Sequence, residues 1–201
     1  KKVLHDTVTV VKENQMQGVD KIQEESAKVT KLTDKITDYL AGLFSSGLLT
    51  EQQASQTAGL MYVLGDVERI GNLSAGIALS MKEKETNQYK YSQEAMDELA
   101  KCLKTLEKMF DSATKALRGD TTVELEKLMK RKDKIVNLDI MMRKSHIQRV
   151  NKGKCKASLT TPFTNILHLI DRMGNSCINL ADAATNEVAL KYFLPKDEMT
   201  M

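Results

Sequence analysis

Two short segments of the sequence set an acid, an arginine, an apolar residue, a glycine and an amide in the same order: Glu68-Arg69-Ile70-Gly71-Asn72 and Asp171-Arg172-Met173-Gly174-Asn175. Positions four apart share one face of a helix, so each segment can turn a carboxylate and an amide together toward a ligand or a partner, with an arginine beside them. The plainer outcome for such acids and arginines is an ordinary ion pair, of modest value where exposed. His168 falls on one face with Asp171 and Asn175, at i, i+3 and i+7, and extends that polar patch or edges it toward solvent. His146 sits on an apolar stripe and is expected to pack rather than to ligate. Gly71 and Gly174 each cost about 1 kcal/mol relative to Ala inside a helix, which suggests close helix packing.

The constellations that catalysis would need are missing. The sequence has no Glu-x-x-His pair for a di-iron site, no H-E-x-x-H, no Gly-rich phosphate loop and no G-x-S-x-G elbow. Cys102, Cys155 and Cys177 lie far apart without a C-x-x-C pair, which argues against a disulfide framework or a thiolate zinc site and for a reducing compartment. Thirty Lys and Arg against 27 Asp and Glu leave a net charge of +3, too balanced for a nucleic-acid binder. The basic stretches 127–134 and 143–156 are either a solvated face, which we favour, or a surface for anionic lipid headgroups. Met129, Met141 and Met142 are expected to fill a core.

The elements that hold these residues read as helices throughout. Aromatic residues are 4% of the chain, Trp is absent, Pro occurs twice, and Leu, Met, Lys, Glu and Ala recur at helical spacing. Leu4, Val8 and Val11 mark the tail of a first helix, one that a cut at Lys1 would truncate, closed by Asn14 and Gly18. Ile22, Val29, Leu32, Ile36, Tyr39, Leu40 and Leu43 form the stripe of a second, running to Ser45-Ser46-Gly47. Thr50-x-x-Gln53 is a capping box for a long third helix. A charged hinge is expected at 82–91, after which Ser92 caps the fourth helix and Gly119-Asp120 stops it. Thr121-x-x-Glu124 would open the fifth, through His146 to Gly153. Thr161, with Pro162 at the first helical position, would open the sixth, which Pro195 ends.

The third and sixth helices align through Arg69 and Arg172 at an offset of 103 residues. The second and fifth align, Val29-x-x-Leu32-x-x-x-Ile36 against Ile135-x-x-Leu138-x-x-x-Met142, at 106. An internal duplication follows: an all-α protein of two tandem three-helix bundles, residues 1–88 and 89–201, related by a pseudo-twofold axis with the third and sixth helices central.

The paired segments resemble the (E/D)-R-I-G-D signature in the last helix of each PhoU repeat, and that resemblance spans nearly the whole chain. The run Met142-Arg143-Lys144-Ser145-His146-Ile147-Gln148-Arg149-Val150-Asn151-Lys152-Gly153-Lys154-Cys155 is similar to the M-R-K-x-H-I-x-R-L-x-x-G-x-C segment in the cytosolic tail of bacterial sodium/phosphate cotransporters. The resemblance implies a non-catalytic regulatory domain on the cytoplasmic side of the membrane that modulates phosphate transport. Its partner would be a transporter core in the same or another chain. Contact with the membrane surface and a homodimer are compatible with it. A start at Lys1 rather than Met fits an appendage cut from a longer protein. The rival expectation is a helical scaffold or adaptor that grips a partner helix and has nothing to do with phosphate.

In PhoU proteins carboxylates four residues apart gather metal ions. Here Asn72 and Asn175 stand where the signature has its second acid, Thr30 and Thr33 lie on the second helix where acids are usual, and the fifth helix keeps only Asp139, with Val136 at the other position. No cofactor is therefore expected, beyond a divalent ion weakly held at Glu68, Asp139 and Asp171.

Overall fold

The structure, a computed structural model, describes every residue except Gln15, 87–90, Thr121 and 186–201. The described residues form six helices, α1 (Lys2–Glu13), α2 (Val19–Ser45), α3 (Glu51–Thr86), α4 (Gln93–Leu117), α5 (Leu125–Asn151) and α6 (Thr160–Thr185), with single 3₁₀ turns at Met16–Gly18 and Ala157–Leu159. No strand occurs among the described residues. Nor is any helix among them long and apolar enough to cross a membrane.

Local chemistry accounts for most of the boundaries. Asn14 ends α1 in the left-handed conformation, φ 53°, which its short side chain tolerates better than most. Thr50 and Gln53 form the expected reciprocal cap, each backbone N–H donating to the other's side chain at 2.9 and 3.3 Å. The Ser92 hydroxyl accepts from the Ala95 amide and starts α4. At the end of α5, Gly153 takes φ +67°, and the amides of Gly153 and Lys154 turn back to the carbonyls of Val150 and Arg149.

Three boundaries differ from the sequence reading. α3 continues through Thr86, so the charged stretch from Lys82 is helix rather than hinge; residues 87–90 lie outside the described residues. α5 starts at Leu125 with Glu124 at its cap position and no side-chain cap bond, so Glu124 is not the third helical residue of a capping box, and Thr121 lies outside the described residues. α6 starts at Thr160, directly after the 3₁₀ turn, which puts Pro162 at its third position, still within the first turn where backbone N–H groups have no intrahelical partner. Pro195 also lies outside the described residues.

α4 and α6 supply most of the buried residues of the larger core. Leu99, Leu103, Leu106, Met109 and Ala113 of α4 face Phe163, Ile166, Ile170, Met173, Cys177 and Leu180 of α6 in one continuous core. Helix pairing is α1 with α2, α3 and α4; α2 with α3; α3 with α6; α4 with α5 and α6; and α5 with α6. α3 and α6 run antiparallel: Gly76 lies against Leu169, and ten residues back along α3 the Asp66 charge acts on the Cys177 thiol. The first and second helices differ in length, 12 against 27 residues, about 18 Å against about 40 Å. Leu32 and Tyr39, expected on the buried stripe, are exposed.

Candidate functional site

The antiparallel crossing of α3 and α6 brings the two motif segments to the same level at the middle of the molecule, and each is packed against the helix that precedes it. In the first, the Asn72 side chain is a junction. Its Oδ1 accepts from the Ser26 hydroxyl at 2.9 Å and the Thr30 hydroxyl at 3.3 Å, both on α2, while its Nδ2 donates to Glu68 Oε1 at 3.3 Å. The approach does not depend on Gly71: a methyl there would meet Ser26 Oγ and Val29 Cγ1 at 3.7 Å, ordinary contact. Gln23 donates to the Ala75 carbonyl at 2.7 Å one turn further on. Together these groups border an open polar cleft of about 410 Å³, with Gln23, Ser26, Thr30, Lys31, Asp34 and Asn72 among its walls. Arg69 is exposed and reaches Asp66 only at 3.7 Å. Asp66 is buried, and its Oδ1 makes no hydrogen bond.

The second segment is built differently. Lys132 of α5, its side chain 13% exposed, lays its ammonium on the Asp171 carboxylate and on the Asp171 carbonyl, at 2.5 and 3.0 Å. A methyl at Gly174 would come within 3.1 Å of Lys132 Cδ and 3.3 Å of Nζ, so the lysine would have to shift to make room for it. Arg172, Asn175 and His168 are exposed.

Lys132 and Ser26 were not singled out from sequence, although a signal existed. They are separated by 106 residues, the offset of the aligned second and fifth helices, and each precedes the aligned Val29 or Ile135 by three positions. Carrying that alignment one turn upstream finds both.

The three acids proposed for a metal are held apart. Glu68 is engaged by Asn72, Asp171 by Lys132, and Asp139 by the Arg143 guanidinium through both oxygens at 2.9 and 3.0 Å. Among the described residues no three His, Cys, Asp or Glu side chains come together in a way that could hold a metal ion. The donor set at the second segment, one carboxylate already neutralised by an ammonium, does not suit a cation.

The run 142–155 builds the corner between α5 and α6. His146 is buried; its Nε2 lies 3.0 Å from Thr160 Oγ1, its Nδ1 3.8 Å from Cys155 Sγ, and its ring stacks on Phe163 at 5.0 Å. Burial, with the Arg149 charge adding to it, pulls its pKa below the ordinary 6.5. Arg149, also buried, bonds Ser145 and Glu98 of α4. His146 is thus a packing histidine, as its place on the stripe implied. Burial, with Asp66 and Asp139 charges assisting, pushes Cys177 and Cys102 up to about 12, so both stay protonated thiols. Of the three expected core methionines Met142 is buried, whereas Met129 and Met141 are exposed on the outer side of α5.

Fold and site define a six-helix bundle whose recurring polar motif braces one helix against the next. Residues 99–184, which span α5, most of α4 and nearly all of α6, match the family model described as PhoU domain. No curated protein and no solved structure matches the chain.

Proposed function

We propose that the chain is a non-catalytic regulatory domain of PhoU type that modulates a sodium/phosphate cotransporter by protein–protein contact at the cytoplasmic face of the membrane. The observation that carries this reading is the PhoU-domain match over residues 99–184. The cotransporter context rests on the 142–155 run.

The reading treats the chain as two repeats, 1–88 and 89–201. The helix pairing supports this, since exchanging α1, α2 and α3 for α4, α5 and α6 turns each α1–α2, α1–α3 and α2–α3 contact into its counterpart and leaves α3–α6 and α1–α4 in place. The glycine contacts support it too: Gly71 on Ser26 corresponds to Gly174 on Lys132. Arg69 and Arg172 are charged groups at matched places and both are exposed, and they suit a surface that favours one conformation of a partner over another. A homodimer is compatible with this reading.

In cells that depend on the transporter, Arg69→Ala with Arg172→Ala is expected to change sodium-dependent phosphate uptake while the 201-residue chain keeps its helicity and melting temperature. Unchanged uptake in that variant, and in a transporter lacking this domain, would sink the reading in favour of a scaffold.

A further inference from the structure

The charge of this chain is not spread evenly. Residues 124–156 hold 11 Lys and Arg against 4 Asp and Glu, a surplus of seven, whereas the remainder holds 19 against 23. Nearly all of that segment is α5 and the turn after it. α5 packs on α4 and α6 through Leu128, Ile135, Met142 and His146 and leaves its other side open.

The open side is apolar as well as basic. Met129, Val136, Ile140 and Ile147 are all exposed, Ile140 and Ile147 by more than half. Spaced seven, four and seven residues apart, they lie within about 40° of one another around the helix and along about 27 Å of its length. Lys130 and Lys144 border this stripe on one side, Arg143 on the other, and exposed Met141 sits beyond the lysines; Asp133 interrupts it. Arg143 is spoken for by Asp139 and Lys130 by Glu126, but Lys134, Lys144, Lys152 and Lys154 are exposed and make no ion pair among the described residues. At the aligned positions of α2, 106 residues earlier, Met129, Val136 and Ile140 correspond to Gln23, Thr30 and Asp34, which line the polar cleft. The two matched faces have thus diverged, one polar and concave, the other aliphatic with a cationic rim.

We propose that the outer face of α5, with the turn 152–156, docks on an anionic lipid surface, its aliphatic stripe seated at the headgroup boundary and its lysines on the headgroups. An interfacial helix needs this pairing of apolar residues with Lys and Arg. Two rivals fit less well. A second copy would set one cationic face against another, and a nucleic acid would find no Phe, Tyr or Trp on α5 for base stacking. This proposal does not depend on the transport reading, because vesicles contain no protein partner.

The test is co-sedimentation of the 201-residue chain with vesicles of phosphatidylcholine and phosphatidylglycerol at 70:30, against phosphatidylcholine alone, in about 0.1 M salt. Binding at least tenfold tighter to the anionic vesicles is expected. Ile140→Glu with Ile147→Glu, and separately Lys134→Glu with Lys144→Glu, should each weaken it at least tenfold with unchanged circular dichroism. Ile140→Ser with Ile147→Ser serves if the Glu pair disturbs folding. Equal binding to both vesicles, or none to the anionic ones, overturns the proposal. Loss with the lysine pair but not the isoleucine pairs would mean a generic polyanion site, and a dimer abolished by the isoleucine pair would assign the face to a second copy; either also overturns it.

Discussion

His146 shows how one residue can look functional and be structural. It lies in the run that resembles a transporter tail, yet its ring nitrogens and its stacking on Phe163 join the end of α5 to the start of α6. Its pKa in the fold lies below 6.5 because burial, and then Arg149, disfavour the imidazolium. The unfolded chain therefore binds more protons than the folded one between that lowered value and 6.5, and stability rises with pH across the window. We expect denaturant midpoints of the wild type to fall as pH is lowered from 7 through 6.5, and His146→Gln to flatten that dependence. Parallel pH profiles for the two proteins would mean that folding does not change the His146 pKa.

At the scale of elements, the two motif glycines mark the same helix crossing but do different work. At the α2–α3 crossing an added methyl at Gly71 meets its neighbours at ordinary distance, so Gly71→Ala should gain the helix preference of Ala, about 0.5–1 kcal/mol. At the α5–α6 crossing the methyl would press on Lys132 at 3.1 Å and disturb its hold on Asp171. Gly174→Ala should therefore show no gain and a melting temperature below that of Gly71→Ala. The comparison needs only thermal unfolding of the two variants, and the reverse order would refute the packing account. The same crossing explains why α5 can afford an open outer face: its register is fixed from inside by Lys132 on Asp171 and by Arg149 on Glu98.

Over the whole molecule the matched halves differ in what fills the space between neighbouring helices, with hydroxyl and amide groups in the first and an ammonium in the second. We infer that the purified chain holds no stoichiometric transition metal after dialysis against a chelator, as elemental analysis would establish. Replacing both amides and the ammonium, Asn72→Asp with Asn175→Asp and Lys132→Ser, should raise metal uptake, since each crossing then presents two carboxylates and no built-in cation. One tightly bound metal per wild-type chain would contradict this account. The sequence by itself determined the helices and their order, because apolar spacing and side-chain caps such as Thr50 with Gln53 act within a few residues. It also determined the paired motif, since a repeat needs no coordinates to be seen. Tertiary structure decided what those motifs touch. Asp171 could have faced solvent, an ion or Asn175; it meets Lys132 because α5 crosses α6 in the register that Gly174 allows, a contact between residues 39 positions apart. It likewise decided that Leu32, Tyr39 and Met129 lie outside the core, since spacing fixes which residues share a helix face but not which part of that face a neighbouring helix covers.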